Sequence, residues 1–151
     1  PRAPAARWMF ESAIKSDFLY WAASRLWPTL VLESILATPR DVLERANAEE
    51  KARIGWLMSQ PLPLSARQAG LLNDVGIAAS LKRNELEHIG AATLVISARD
   101  DFYGTYASSL YTARHIAGAR FLGLTDGGHL WVGHHHEVMN EIASFLSTSA
   151  R

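Results

Sequence analysis

Two short stretches carry residues suited to acid–base chemistry. Asp100 and Asp101 follow directly on the apolar run Ala92-Thr93-Leu94-Val95-Ile96-Ser97. Thr125-Asp126-Gly127-Gly128-His129-Leu130 follows directly on a second apolar run that begins at a Gly118 turn and ends at Leu124. A carboxylate that accepts the Nδ1 proton of a histidine fixes the ring's tautomer and stabilises the imidazolium formed when the ring acts as a general base. Open α/β sheets gather catalytic groups outside the carboxyl ends of their strands. Asp101 and His129, each just past a strand, are therefore expected to be neighbours, with Asp100 as the alternative acid. The two glycines let the backbone turn sharply and approach other groups closely. Taken singly, the acids have a plainer reading as a helix cap or solvated turn, and the histidine as a structural ring. An acid and a Gly-Gly-His after consecutive strands make the catalytic reading the stronger one.

A second histidine cluster, His134-His135-His136, invites a metal reading. Consecutive residues at a helix start point about 100° apart, so at most two of these rings could share an ion unaided. The simpler expectation is that they begin the last helix, with His134 packed near the catalytic loop. Trp131 either lines a pocket or fills space beneath that loop.

The elements that must hold these residues can be read from period and punctuation. Pro28, Pro39 and Pro61-Leu62-Pro63 break the first half into helices at about 17–27, 28–37, 39–47 and 48–60, and a fifth short helix is expected after Ser65. Thr38-Pro39-Arg40-Asp41 reads as an N-cap followed by proline at the first helical position, and Ser65-Ala66-Arg67-Gln68 as a capping box. Trp8, Phe10, Phe18, Leu19, Trp21, Leu26, Trp27 and Trp56 make this half rich in aromatic and large apolar residues, enough for a core and also for a pocket wall. The second half changes period. The run at 92–97 is expected to be a strand buried on both faces, 105–116 a helix, 118–124 a turn and strand, and the chain from about His135 an amphipathic helix on Val138, Ile142 and Phe145. Strand, helix, strand, helix is the order of βαβ units with a right-handed crossover, so the fold class is α/β. Two strands are too few for a parallel sheet covered on both sides, which implies further strands from another polypeptide or from a segment preceding this one.

Composition bounds the function. The chain has 151 residues, 48% hydrophobic, with 15 Lys+Arg against 15 Asp+Glu and no cysteine. That is the composition of a soluble globular domain. A formal charge of zero gives no long-range pull toward phosphate, so no nucleic acid and no anionic membrane is expected as partner. Without thiols, cysteine redox chemistry and Cys-based zinc sites are excluded. The segment Pro1-Arg2-Ala3-Pro4-Ala5-Ala6-Arg7 is followed by no apolar core of a signal peptide, and no apolar run approaches the roughly 20 residues that span a bilayer. A cytoplasmic location is the default expectation. The non-Met first residue fits either trimming or a C-terminal piece of something longer.

A family resemblance enters here. Leu94-Val95-Ile96-Ser97-Ala98-Arg99-Asp100-Asp101, then Ile116-Ala117-Gly118-Ala119-Arg120-Phe121, then Gly127-Gly128-His129, then Ile142-Ala143-Ser144-Phe145-Leu146, resembles the C-terminal third of an α/β-hydrolase over roughly residues 86–146. The resemblance implies that Asp101 is the triad acid, three residues after Ala98 where the family often has glycine, and that His129 is the triad base. It divides the chain into a helical cap over 1–85 and a C-terminal α/β portion over 86–151. Within the cap, Arg67, Gly70, Asn73 and Asp74 are candidates to face substrate, although the plainer reading, Arg67 and Asp74 solvated or paired on one helical face, is the stronger one.

The family's nucleophile sits in a G-x-S-x-G elbow. No glycine of this sequence has serine two positions later, and Ser97, Ser108 and Ser109 lack the strand–turn–helix setting. The resemblance therefore implies an enzyme acting on an ester, lactone or related small carbonyl substrate whose serine lies in a companion polypeptide or segment. This chain alone is expected to be inactive, and no cofactor is implied. The alternative is a non-catalytic fragment or hydrolase-like interaction module that self-associates, as a homo-oligomer, through its incomplete sheet.

Overall fold

The computed structural model describes residues 16–82 and 84–149; Trp8 and Phe10 of the aromatic half lie outside the described residues. The N-terminal half is a layer of short helices. They are α1 (Asp17–Leu26), α2 (Pro28–Ser34), α3 (Arg40–Arg45), α4 (Ala48–Ser59) and α5 (Gln68–Ser80). Ser16 caps α1 through the Leu19 amide, Asn47 caps α4 through the Glu50 amide, and Pro28 occupies the first turn of α2 where its missing N–H costs nothing.

Both capping boxes expected from sequence are corrected. Thr38 does not cap α3. Pro39 stands at the cap position, the Arg40 amide donates to the Glu33 carboxylate instead, and Thr38 is fully buried. Ser65 does not cap α5. It opens a short 3-10 turn, Ser65–Arg67, and both its amide and its hydroxyl donate to the Asp17 carboxylate, which those bonds hold below the usual carboxylate range. In each case a long-range partner outcompetes the local one.

The C-terminal half holds β1 (Leu94–Ala98), α6 (Tyr106–His115), β2 (Arg120–Leu124) and α7 (His135–Ser149). The strands pair in parallel with Leu94 opposite Arg120 and Ala98 opposite Leu124, so their carboxyl ends are level. The architecture is mixed α/β, a two-stranded parallel sheet with flanking helices. The expectation of a strand buried on both faces is met only at Ser97 and Ala98. Leu94, Val95 and Ile96 stay half-buried, because the described elements cover too little of the sheet. Among the described residues no helix is long and apolar enough to cross a membrane.

Two apolar clusters form the interior. One gathers Tyr20, Val31, Leu32, Val42, Ile54, Met58 and Leu64 from the helical layer, and into it the C-terminal half inserts Val132, with Leu130 packed alongside. The other joins Ala98, Leu124 and Val138, flanked by Ile96, Leu122, Trp131 and Ile142. The segment after β2 therefore belongs to both cores.

A polar clasp accompanies the insertion. Glu50 and Arg53 of α4 form a two-pronged ion pair, at 3.0 and 2.8 Å, with side chains that are 9% and 18% exposed. The Arg53 guanidinium also donates to the Leu130 carbonyl at 3.0 Å, and Glu50 accepts the Gly133 amide at 3.0 Å. The Arg53 hydrogen bond depresses the Glu50 pKa, and it outweighs the upward push of burial. Arg53→Ala would strand a largely buried carboxylate and a loop carbonyl, and should lower unfolding stability by about 2–4 kcal/mol, measured by urea denaturation.

Candidate acid–histidine site

The loops that leave β1 and β2 meet at the carboxyl edge of the sheet. His129 Nδ1 lies 3.1 Å from Asp101 Oδ2. The Asp101 side chain is only 3% exposed, whereas that of His129 is 47% exposed. The acid is sealed beneath the ring while the ring remains reachable from outside. No further hydrogen bond reaches His129 Nε2 among the described residues. With Nδ1–H given to the carboxylate, Nε2 carries the lone pair, the arrangement of a general base with its orienting acid.

Asp101 is held from three sides. Thr105 donates its hydroxyl to Oδ2 at 2.5 Å, the Tyr103 amide donates to Oδ1 at 2.8 Å, and His129 supplies the third bond. Ser97, at the buried end of β1, extends the network to Thr105 at 3.2 Å. Burial pushes the Asp101 carboxyl up, but the bonds from Thr105, His129 and the Tyr103 amide together outweigh it and leave its pKa below the usual carboxylate value. The Tyr103 ring meets the His129 ring edge-on at 4.9 Å, and its hydroxyl is tied to the Ile35 carbonyl at 2.6 Å.

Asp100, the alternative acid, has a different task. Its two oxygens accept the amides of Gly127 and Gly128 at 3.1 and 2.8 Å. The adjacent carboxylates thus divide the work, one gripping the imidazole and the other the backbone just before it. Gly127 and Gly128 have φ of +111° and +61°, and a Cβ on Gly128 would stand 2.6 Å from Thr38 Cγ2. Glycine is needed there both for conformation and for the close approach of Thr38.

Sequence reasoning missed the segment on which these loops rest. Ala37, itself left-handed at φ +49°, offers its carbonyl to the amides of both Phe102 and His129, at 3.0 and 3.4 Å. Thr38 Oγ1 donates to the Leu36 carbonyl and accepts the Leu130 amide. The turn between α2 and α3 is therefore the seat of both the acid loop and the histidine loop. The signal available was a threonine before a proline, which local rules assign to a cap.

The other candidates fall elsewhere. Arg67, Gly70, Asn73 and Asp74 lie exposed on α5 and the turn before it, and Arg67 donates to the Gln60 carbonyl. None of them is brought to Asp101 or His129 by a hydrogen bond. Trp131 packs beneath the loop against the Ala98, Leu124 and Val138 cluster. His134, His135 and His136 do not converge: His134 turns to Asp126 and Glu137, and His136 to Glu49. Among the described residues no cluster of three or more His, Asp or Glu side chains is arranged to hold a metal. No family model, curated protein or solved structure matches this chain.

Two outcomes are expected. Gly128→Ala adds both a strained φ and an overlap with Thr38, and should cost about 2–4 kcal/mol in thermal or urea unfolding. Because the folded-state pKa of Asp101 lies below its unfolded value, its contribution is fully present above the ordinary carboxylate range. It is lost as pH falls through the depressed folded value. Urea midpoints recorded from neutral into acid pH should therefore fall less steeply for Asp101→Asn than for the native chain.

Proposed function

We propose that this chain is the cap and C-terminal portion of an α/β-hydrolase, acting on an ester, lactone or related small carbonyl substrate through an acyl-enzyme. His129 is the general base and Asp101 its orienting acid. The serine nucleophile is carried by a companion polypeptide or segment that also extends the sheet. The observation that carries this reading is the His129–Asp101 pair at the level carboxyl ends of two adjacent parallel strands, with the acid buried and the ring's far nitrogen open.

In the reaction, His129 Nε2 takes the serine proton as the hydroxyl adds to the carbonyl. It returns that proton to the leaving group as the tetrahedral adduct collapses, and repeats the cycle with water. Asp101 keeps its negative charge throughout and stabilises the transient imidazolium; the three hydrogen bonds that depress its pKa serve that purpose. In this reading the helical layer is the cap, and it bears on the base through the bonds of segment 35–38 and of the Glu50–Arg53 pair to the two loops.

A serine-directed fluorophosphonate applied to the chain with its companion should label a serine outside these residues. In the assembled enzyme His129→Ala should lower kcat by roughly four orders of magnitude or more, with the circular dichroism spectrum unchanged. An active, folded His129→Ala variant would sink the assignment. A second reading, a non-catalytic module that self-associates, draws on the two-stranded sheet, in which each strand is hydrogen-bonded to the other alone among the described residues. Native mass spectrometry separates the two: a heteromeric partner bearing the serine supports the hydrolase, and an unlabelled homodimer supports the module.

A further inference from the structure

A second histidine stands at the neck of the loop that carries His129. Asp126 opens that loop and His134 closes it, eight positions later, and the two side chains meet at 2.8 Å through Nε2. The other ring nitrogen, Nδ1, lies 2.9 Å from the Glu137 carboxylate in the first turn of α7. A neutral imidazole has one N–H to donate, so two carboxylate partners on two ring nitrogens require the imidazolium. The ring also packs against Gly127, where a Cβ would stand 3.2 Å from His134 Cδ2. The Gly127 carbonyl in turn accepts the Val132 amide, and the Trp131 carbonyl accepts the His134 amide.

We propose that charged His134 is a positioning residue that staples the two ends of the 125–134 loop together, and that loss of its ring proton opens the neck and lets His129 drift from Asp101. As regulation of the same site, the inference rests on the reading of His129 as the base. It gives the hydrolase an alkaline limit set by a residue that touches no substrate.

The charges around the ring fit this role. Asp126 faces it from the end of β2 and Glu137 from α7. Arg45 of α3 supports Asp126 at 3.2 Å and is itself paired with Asp41. From α4, Glu49 pairs with His136 at 3.5 Å, and Glu50 feels the charge of His135 only weakly. The hydrogen bond to Asp126 raises the His134 pKa above the usual histidine value, burial opposes it, and the bond to Glu137 adds to the rise. The Asp126 pKa is lowered, chiefly by His134 and then by Arg45, against the push of desolvation. The signs define a window. The staple is whole between the depressed value of Asp126 and the raised value of His134. Its contribution is lost as pH rises through the folded-state pKa of His134, or falls through that of Asp126.

The test is a pH titration of the full 151-residue chain, uniformly labelled with nitrogen-15, that follows the His134 ring nitrogens and the Gly127 and Gly128 amides together. The amides should shift with the same midpoint as the His134 ring. Glu137→Gln removes one anionic partner outside the loop and should move both midpoints together to lower pH; Asp126→Asn provides a second route to the same displacement. Amides that stay unmoved while His134 loses its proton, or whose midpoint ignores Glu137→Gln, would overturn the proposal. In the assembled enzyme the alkaline limb of kcat should follow the same displacement, with KM little changed. Coupled amides in a protein that labels no serine would support the staple and count against the hydrolase reading alone. Serine labelling with uncoupled amides would overturn the staple and leave that reading intact.

Discussion

One backbone carbonyl organises the site. The Ala37 oxygen accepts the amides of Phe102, next to Asp101, and of His129. The two loops come from different strands and would otherwise be free to separate. Because Ala37 sits in the left-handed region, its carbonyl is turned away from the path of α2 and toward the sheet edge. The fully buried Thr38 then takes the Leu130 amide, and Tyr103 ties its hydroxyl to Ile35. Three residues of the segment 35–38, Ile35, Ala37 and Thr38, thus hold the acid loop and the histidine loop in register with each other.

The rest of the geometry follows from that seat. Asp100 binds the glycine amides from the strand side while Ala37 and Thr38 hold the same loop from the helix side, so the backbone entering His129 is fixed on two faces. Val132 and Leu130 anchor the loop's exit in the helical core, and Glu50 with Arg53 satisfies the polar groups that this burial would leave unpaired. The His129 side chain is in turn held by Asp101 and by the edge of Tyr103.

Much of this was legible in the sequence. Proline breakers placed the helices to within a few residues, the β-branched run and the turn glycine placed the strands, and two short motifs at strand ends pointed to Asp101 and His129 as neighbours. What was not legible depends on partners far away in the chain. Thr38 and Ser65 each look like helix caps to any rule that sees only four residues, yet each has a long-range partner. Asp100 and Asp101 are identical side chains one residue apart, and only the positions of the loops decide which one meets the ring. His134, read as a helix start, has its pKa raised chiefly by Asp126, which becomes its neighbour only when the loop folds back on itself.

The sequence separations of these contacts bear on the order of assembly. The bond from Leu130 to Thr38 spans 92 positions, Gly133 to Glu50 spans 83, and Tyr103 to Ile35 spans 68. Contacts of such range demand large loop closures, whereas the α1 to α4 core needs only short ones. On a chain made from its N-terminus, α1 to α5 emerge before the histidine loop, whose Val132 is still needed to fill their core. The seat at Ala37 therefore lies early in the chain and its two occupants late, so closing the acid–histidine pair carries a larger loop-closure cost than packing α1 to α4 against one another.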